Sequence, residues 1–161
     1  VDADRLGVFG GSAGGHLSLV LATTSDKGNA AALNKVAQTS NRVAAVVAYF
    51  PPTDLRTIVP TPPAENTRFP ALNFDPEKAA DYSPIVHVSD DDPPTLLVHG
   101  DKDTLVPLSN STKMLEAMEG KKVTSKLIVL EGAGHGFRGE QGKQASEAMV
   151  AWFVEHLTTN P

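Results

Sequence analysis

The chain predicts an α/β fold, a three-layer sandwich with a parallel sheet between helices. Three observations carry that reading. Four short apolar runs alternate with stretches of helical period, the pattern of successive βα units. The longest run, Val43–Phe50, is apolar at nearly every position, as strands covered on both faces are. And 161 residues, 40% of them hydrophobic, suffice for one domain with a real core.

Leu6–Phe9 forms the first strand. Leu17, Val20, Leu21 and Thr24 then recur at helical spacing, predicting a helix from Ala13 to Thr24. Val43–Phe50 is the second strand and Thr95–Gly100 the third. Leu108, Leu115 and Met118 mark one face of a helix that Gly120 should end. Lys126–Leu130 is the fourth strand. The closing helix is the most regular, with Ala145, Ala148, Met149, Trp152 and Phe153 at i, i+3, i+4, i+7 and i+8. Seven of the twelve prolines fall between Pro51 and Pro76, which excludes a long regular element there. Residues 51–84 are therefore read as a cap or substrate-side loop inserted in one domain spanning 1–161, with short helical turns around Pro76 to Asp81.

Composition removes several functions. The net charge is −5, dispersed without long runs, so nothing recruits nucleic acid or an anionic membrane. No apolar run reaches the length of a membrane span, and Val1–Arg5 is not a signal peptide; any signal would lie upstream of Val1. The chain has no cysteine, which excludes disulfides and thiol nucleophiles and suits reducing and oxidising compartments alike.

The chemistry concentrates at three strand ends. Gly10-Gly11-Ser12-Ala13-Gly14 follows a strand and opens a helix, the sequence form of a nucleophile elbow. Gly10 and Gly14 are expected where strand and helix pass closest. The competing reading is a glycine-rich turn that binds an anion at the helix N-terminus. A Rossmann turn would need Gly-x-Gly-x-x-Gly, a spacing not found here. Serine needs a neighbouring base, itself oriented by a third group. His135, in the small loop Gly132-Ala133-Gly134-His135-Gly136, directly follows the fourth strand, and its ordinary pKa suits proton shuttling. The third strand ends in Asp101-Lys102-Asp103, which offers two candidate acids. Asp101 fits a turn residue bonding its own backbone. A metal reading of the pair lacks further ligands. Asp90-Asp91-Asp92 reads as a solvated loop. His16 reads as packing or capping beside the elbow, His99 as strand-end packing, and His87 and His156 as surface or interface positions. The order Ser12, then aspartate, then His135 is that of α/β-hydrolases.

These segments, together with Tyr49-Phe50-Pro51-Pro52-Thr53-Asp54-Leu55, Ser83-Pro84-Ile85 and His99-Gly100-Asp101-Lys102-Asp103, resemble the esterase/lipase branch of the α/β-hydrolases. The likeness is nearest to acetyl xylan and feruloyl esterase-like enzymes. It implies Ser12 as nucleophile, Asp103 as the acid, His135 as the base, and the backbone N–H of Ala13 in the oxyanion hole. It implies no cofactor and no metal. The substrate would be a small-molecule or carbohydrate carboxylic ester, cleaved through an acyl-enzyme. A prolyl-oligopeptidase-like serine peptidase shares these motifs but usually carries an aromatic residue or histidine after the serine, where this chain has Ala13. The family's upstream His-Gly-Gly loop, which completes the oxyanion hole, does not precede Ser12 in this sequence. The chain is thus expected to be the C-terminal four-stranded part of a longer hydrolase. It would then have an exposed first strand and need a missing N-terminal half or an oligomer partner, or else be a catalytically impaired fragment kept for binding. Phe69, Phe74 and Tyr82 are expected to pack the proline-rich loop rather than join the site.

Overall fold

The computed structural model describes residues 2–60 and 68–158; part of the proline-rich segment, 61–67, lies outside the described residues. Four parallel strands, β1 (Gly7–Gly11), β2 (Ala45–Tyr49), β3 (Thr95–Gly100) and β4 (Ser125–Leu130), lie side by side in chain order. Helix α1 (Ala13–Thr23) follows β1, a one-turn α2 (Lys35–Gln38) precedes β2, α3 (Ser109–Gly120) joins β3 to β4, and α4 (Gly139–Thr158) closes the described chain. Every residue of β2 and β3 is buried, because both are interior strands with helices on each face.

Alternation along the strands divides the core in two. Ala45, Val47, Tyr49, Leu96 and Val98 point to Trp152 and Ala145 of α4. Val46, Ala48 and Leu97 point the other way, to Leu19 and Ala22 of α1 and Met114 and Met118 of α3. The layers are therefore α1 and α3, the sheet, and α4. The Tyr49 hydroxyl donates to the Ala145 carbonyl at 2.6 Å, satisfying a buried phenol and fastening α4 to the sheet.

The structure amends two details. Gly120 is the last residue of α3 rather than its terminator. The left-handed position falls on Lys122 (φ 63°), with Lys122 N–H on the Glu119 carbonyl and Val123 N–H on that of Met118. That is a Schellman closure made without glycine. The second amendment concerns the elbow. A Cβ on Gly10 would lie 2.3 Å from the backbone C and O of Gly14, whereas one on Gly14 would meet nothing within 4 Å. Of these two glycines, Gly10 is the one demanded by the strand–helix crossing.

The proline-rich segment is a chain of 3-10 turns, at Leu55–Thr57, Pro70–Leu72, Pro76–Lys78 and Pro84–Val86, three of them opened by proline. Leu55, Val59 and Ala79 form a small core with Leu72 and Phe74, and the Phe74 ring meets Tyr82 edge-on at 5.3 Å. Those two aromatics pack the loop down as expected, whereas Phe69 lines a cleft. Buried Thr53 ties the segment to α3 through Asn110, accepting on Oδ1 from Thr53 N–H at 3.0 Å and on its carbonyl from Thr53 Oγ at 2.9 Å.

The two glycines of the elbow should part company when replaced. Gly10→Ala drives a methyl into backbone and is expected to cost about 1–3 kcal/mol. Gly14→Ala should be neutral or stabilising by up to ~1 kcal/mol, since alanine is the better helix former. Urea unfolding of both variants decides; equal losses would contradict the crossing geometry.

Candidate active site

Ser12 sits at the turn between β1 and α1 with φ 53° and ψ −119°, a backbone conformation that side-chain-bearing residues rarely adopt. Holding it there costs on the order of 1–3 kcal/mol and turns Oγ out above the sheet's carboxyl end. Two contacts over-determine it. The Ser12 amide donates to the Tyr49 carbonyl at 2.9 Å, extending the β1–β2 ladder, and the Ser12 carbonyl accepts from His16 N–H at 2.9 Å, starting α1. Ala13, exposed at the first helical position, presents its amide at the positive end of the helix.

The aspartates at the end of β3 divide their work. Asp103 Oδ1 accepts from the amides of Leu105 and Val106, each at 2.9 Å, and Oδ2 faces His135 Nδ1 at 2.7 Å. Its carboxyl group is fully buried. Burial works against ionisation, but the Val106 amide, the His135 ring and the Leu105 amide outweigh it and hold the group below the ordinary carboxylate value. Asp101 does not bond its own backbone as expected. It accepts from the Gly132 amide at 2.6 Å, so it pins the loop that carries His135. Gly100 lets that loop come in: a Cβ there would lie 2.2 Å from the Ala133 carbonyl oxygen.

His135 completes the chain of bonds. Nε2 lies 2.8 Å from Ser12 Oγ, linking residues 123 positions apart. With Asp103 accepting at Nδ1, the neutral ring carries its proton there and offers the Nε2 lone pair to the serine hydroxyl. The Phe50 ring packs edge-on against the imidazole at 4.6 Å and against Phe137 at 4.9 Å. Sequence reasoning missed Phe50 as a site residue; its signal was an aromatic at a strand end followed by two prolines. The structure thus brings Ser12, Asp103, His135 and the Ala13 amide to one place. His16 stays apart from it, with Nδ1 donating to the Pro52 carbonyl at 3.0 Å and so tying α1 to the loop after β2.

A cleft of about 570 Å3 opens beside Ser12 and Ala13. Leu55, Ile58, Phe69, Leu72 and Val106 make its walls largely apolar, and Asn110 and Lys113 stand at the α3 side. Among the described residues no cluster of acidic or histidine side chains could hold a metal, and no helix is long and apolar enough to cross a membrane.

Residues 1–118 match the BD-FAE family. The esterase LipC of Mycobacterium tuberculosis is 32% identical over 148 residues, covering 84% of this chain and 36% of its own. An uncharacterised peptidase of Bacillus subtilis, YuxL, is 24% identical over 161 residues, 98% of this chain and 23% of its own. Among solved structures, a truncated form of a carbohydrate esterase from gut microbiota superposes with a TM-score of 0.78 at 26% identity, over 99% of this chain and 62% of that one. The chain therefore spans about a third or less of these curated relatives, and under two thirds of that solved structure.

Stability should report the buried rings. Burial holds His99 and His16 below the ordinary imidazole value of 6.5, so the fold favours the neutral forms. Below about pH 6.5 the unfolded chain takes up protons that the folded one refuses, and stability falls as pH drops. Asp103, held below 3.8, adds a further loss in more acid solution. Urea midpoints should be level above about pH 7 and decline from there toward pH 5; a flat profile over that span would contradict the burial of both rings.

Proposed function

The chain belongs to the BD-FAE family, in the esterase branch of the α/β-hydrolases, and on that footing we propose that it hydrolyses carboxylic esters through a serine acyl-enzyme. The observation that carries the reading is the unbroken relay from Ser12 Oγ through His135 to Asp103, at 2.8 and 2.7 Å. Ser12 Oγ attacks the ester carbonyl while His135 Nε2 accepts its proton. The imidazolium so formed is held by the Asp103 carboxylate. The carbonyl oxygen, now negative, accepts from the Ala13 amide at the mouth of α1, where the helix dipole favours negative charge. As the intermediate collapses, His135 returns the proton to the leaving alkoxide and the alcohol departs. Water, deprotonated by the same nitrogen, then attacks the acyl group, and Ser12 leaves with the proton restored.

The apolar cleft beside Ser12 suits a short acyl or aryl group, and the likeness to a carbohydrate esterase favours an acetyl or aryl ester on a sugar. The likeness to a peptidase supports a second reading, amide hydrolysis at the same serine.

A fluorophosphonate probe tests the reading, since it phosphonylates only an activated serine and expels fluoride. The wild type should be labelled at Ser12 and Ser12→Ala should not; a folded wild type left unlabelled would overturn it. On 4-nitrophenyl acetate, Asp103→Asn is expected to lower kcat by ~10⁴-fold, because the ring loses the partner that sets its tautomer. Activity on peptide 4-nitroanilides without activity on acetyl esters would instead favour the peptidase.

A further inference from the structure

We propose that His99 is a positioning residue for Asp103: as an Nε2–H tautomer set by the Val106 carbonyl and backed by the Ser111 hydroxyl, it holds the acid's turn and places a donor beside the carboxylate. The proposal rests on the hydrolytic reading above, because positioning Asp103 matters only if Asp103 works. His99 is the penultimate residue of β3 and is 0% exposed. Its Nε2 lies 2.8 Å from the Val106 carbonyl oxygen and 3.4 Å from Asp103 Oδ2, and its Nδ1 lies 2.7 Å from Ser111 Oγ.

The tautomer follows from the partners. A carbonyl and a carboxylate only accept, so Nε2 must carry the hydrogen. In the neutral ring Nδ1 is then an acceptor, and the fully buried Ser111 hydroxyl donates to it. Burial favours that neutral ring; Asp103 pulls toward protonation and His135 opposes it, while α3 presents the uncharged Ser111 hydroxyl. Val106 links the two ends of the device. Its N–H donates to Asp103 Oδ1 at 2.9 Å while its C=O accepts from His99, so the acid and the ring each fix one of the two peptide groups flanking that residue. A histidine that merely filled space at the strand end would need neither the acceptor at Val106 nor the serine behind it. The weak Nε2–H contact to Oδ2 has an electrostatic consequence: it offsets part of the negative charge that His135 feels.

The test compares three forms on 4-nitrophenyl acetate and by ¹⁵N spectra of the histidine rings. In the wild type, His99 should be the neutral Nε2–H tautomer at about pH 8. His99→Phe keeps the ring volume and loses the donors; kcat should fall ~10-fold with KM nearly unchanged. Its His135 ring should take up its proton at a higher pH than in the wild type, since the negative charge of Asp103 is then less offset. His99→Gln can place an amide N–H near the position of Nε2 and should recover most of kcat. An Nδ1–H tautomer in the wild type would overturn the proposal. So would a folded Phe variant with unchanged kcat and unchanged His135 titration, or a Gln variant as impaired as Phe at the same melting temperature. If the Phe variant does not fold, Ser111→Ala replaces it, keeping the ring but removing the hydroxyl that satisfies Nδ1. A smaller upward shift of His135 is then expected, and no shift counts against the proposal. Tautomer and titration read out even if the wild type cleaves no ester, so failure here is distinguishable from failure of the hydrolytic reading.

Discussion

The contact between Gly10 and the backbone of Gly14 is the constraint from which the site follows. Strand β1 and helix α1 cross so closely that a single methyl at Gly10 would sit inside the next turn of chain. To make that crossing, the intervening residue must leave the ordinary backbone regions, and the residue there is Ser12. The strain is held by order on both sides: β1 is tied to β2 up to the Ser12 amide, and α1 begins at the Ser12 carbonyl. The hydroxyl is thereby fixed above the sheet, and the first free amide of α1 is fixed beside it.

A second backbone contact does the same for the partners of Ser12. Gly100 lets the loop after β4 press against the end of β3, and Asp101 fastens it there through the Gly132 amide. Asp103 and His135 then meet at 2.7 Å although 32 residues separate them. Charge is arranged with equal economy. The Asp103 carboxylate is buried, which alone would favour its neutral form, yet two amides and two imidazoles surround it. These contacts hold it below the ordinary carboxylate value, beside the ring that the proposed mechanism makes positive.

Much of this was legible in the residues. Strands β2 and β3 announce themselves because interior parallel strands are apolar on both faces. Ser12, the Asp101/Asp103 pair and His135 were legible because each lies just beyond a strand, and parallel strands deliver all their carboxyl ends to one edge, while the choice of Asp103 leaned on the family resemblance. What the sequence hid depends on pairs of backbone atoms. Gly10 and Gly14 look equivalent in the motif, yet only one is crowded. Asp101 resembles a local turn residue, and only the folded chain shows its partner 31 positions away. Phe50 reads only as the end of a strand and His99 as strand-end packing, since nothing in a linear pattern reveals that an aromatic ring faces a histidine or that a buried imidazole has a carbonyl and a serine at its two nitrogens. The left-handed turn after α3 escaped for a simpler reason: lysine occupies a position where glycine is the usual signal.

The central claim is that His135 is held by Asp103 through Nδ1–H and presents Nε2 to Ser12. The most direct measurement is the proton NMR spectrum in water, where an Nδ1 proton shared with a buried carboxylate resonates far downfield and exchanges slowly. Such a resonance should be present in the wild type, survive Ser12→Ala, and vanish in Asp103→Asn and His135→Gln. Its absence from folded wild type, or its persistence without Asp103, would contradict the account.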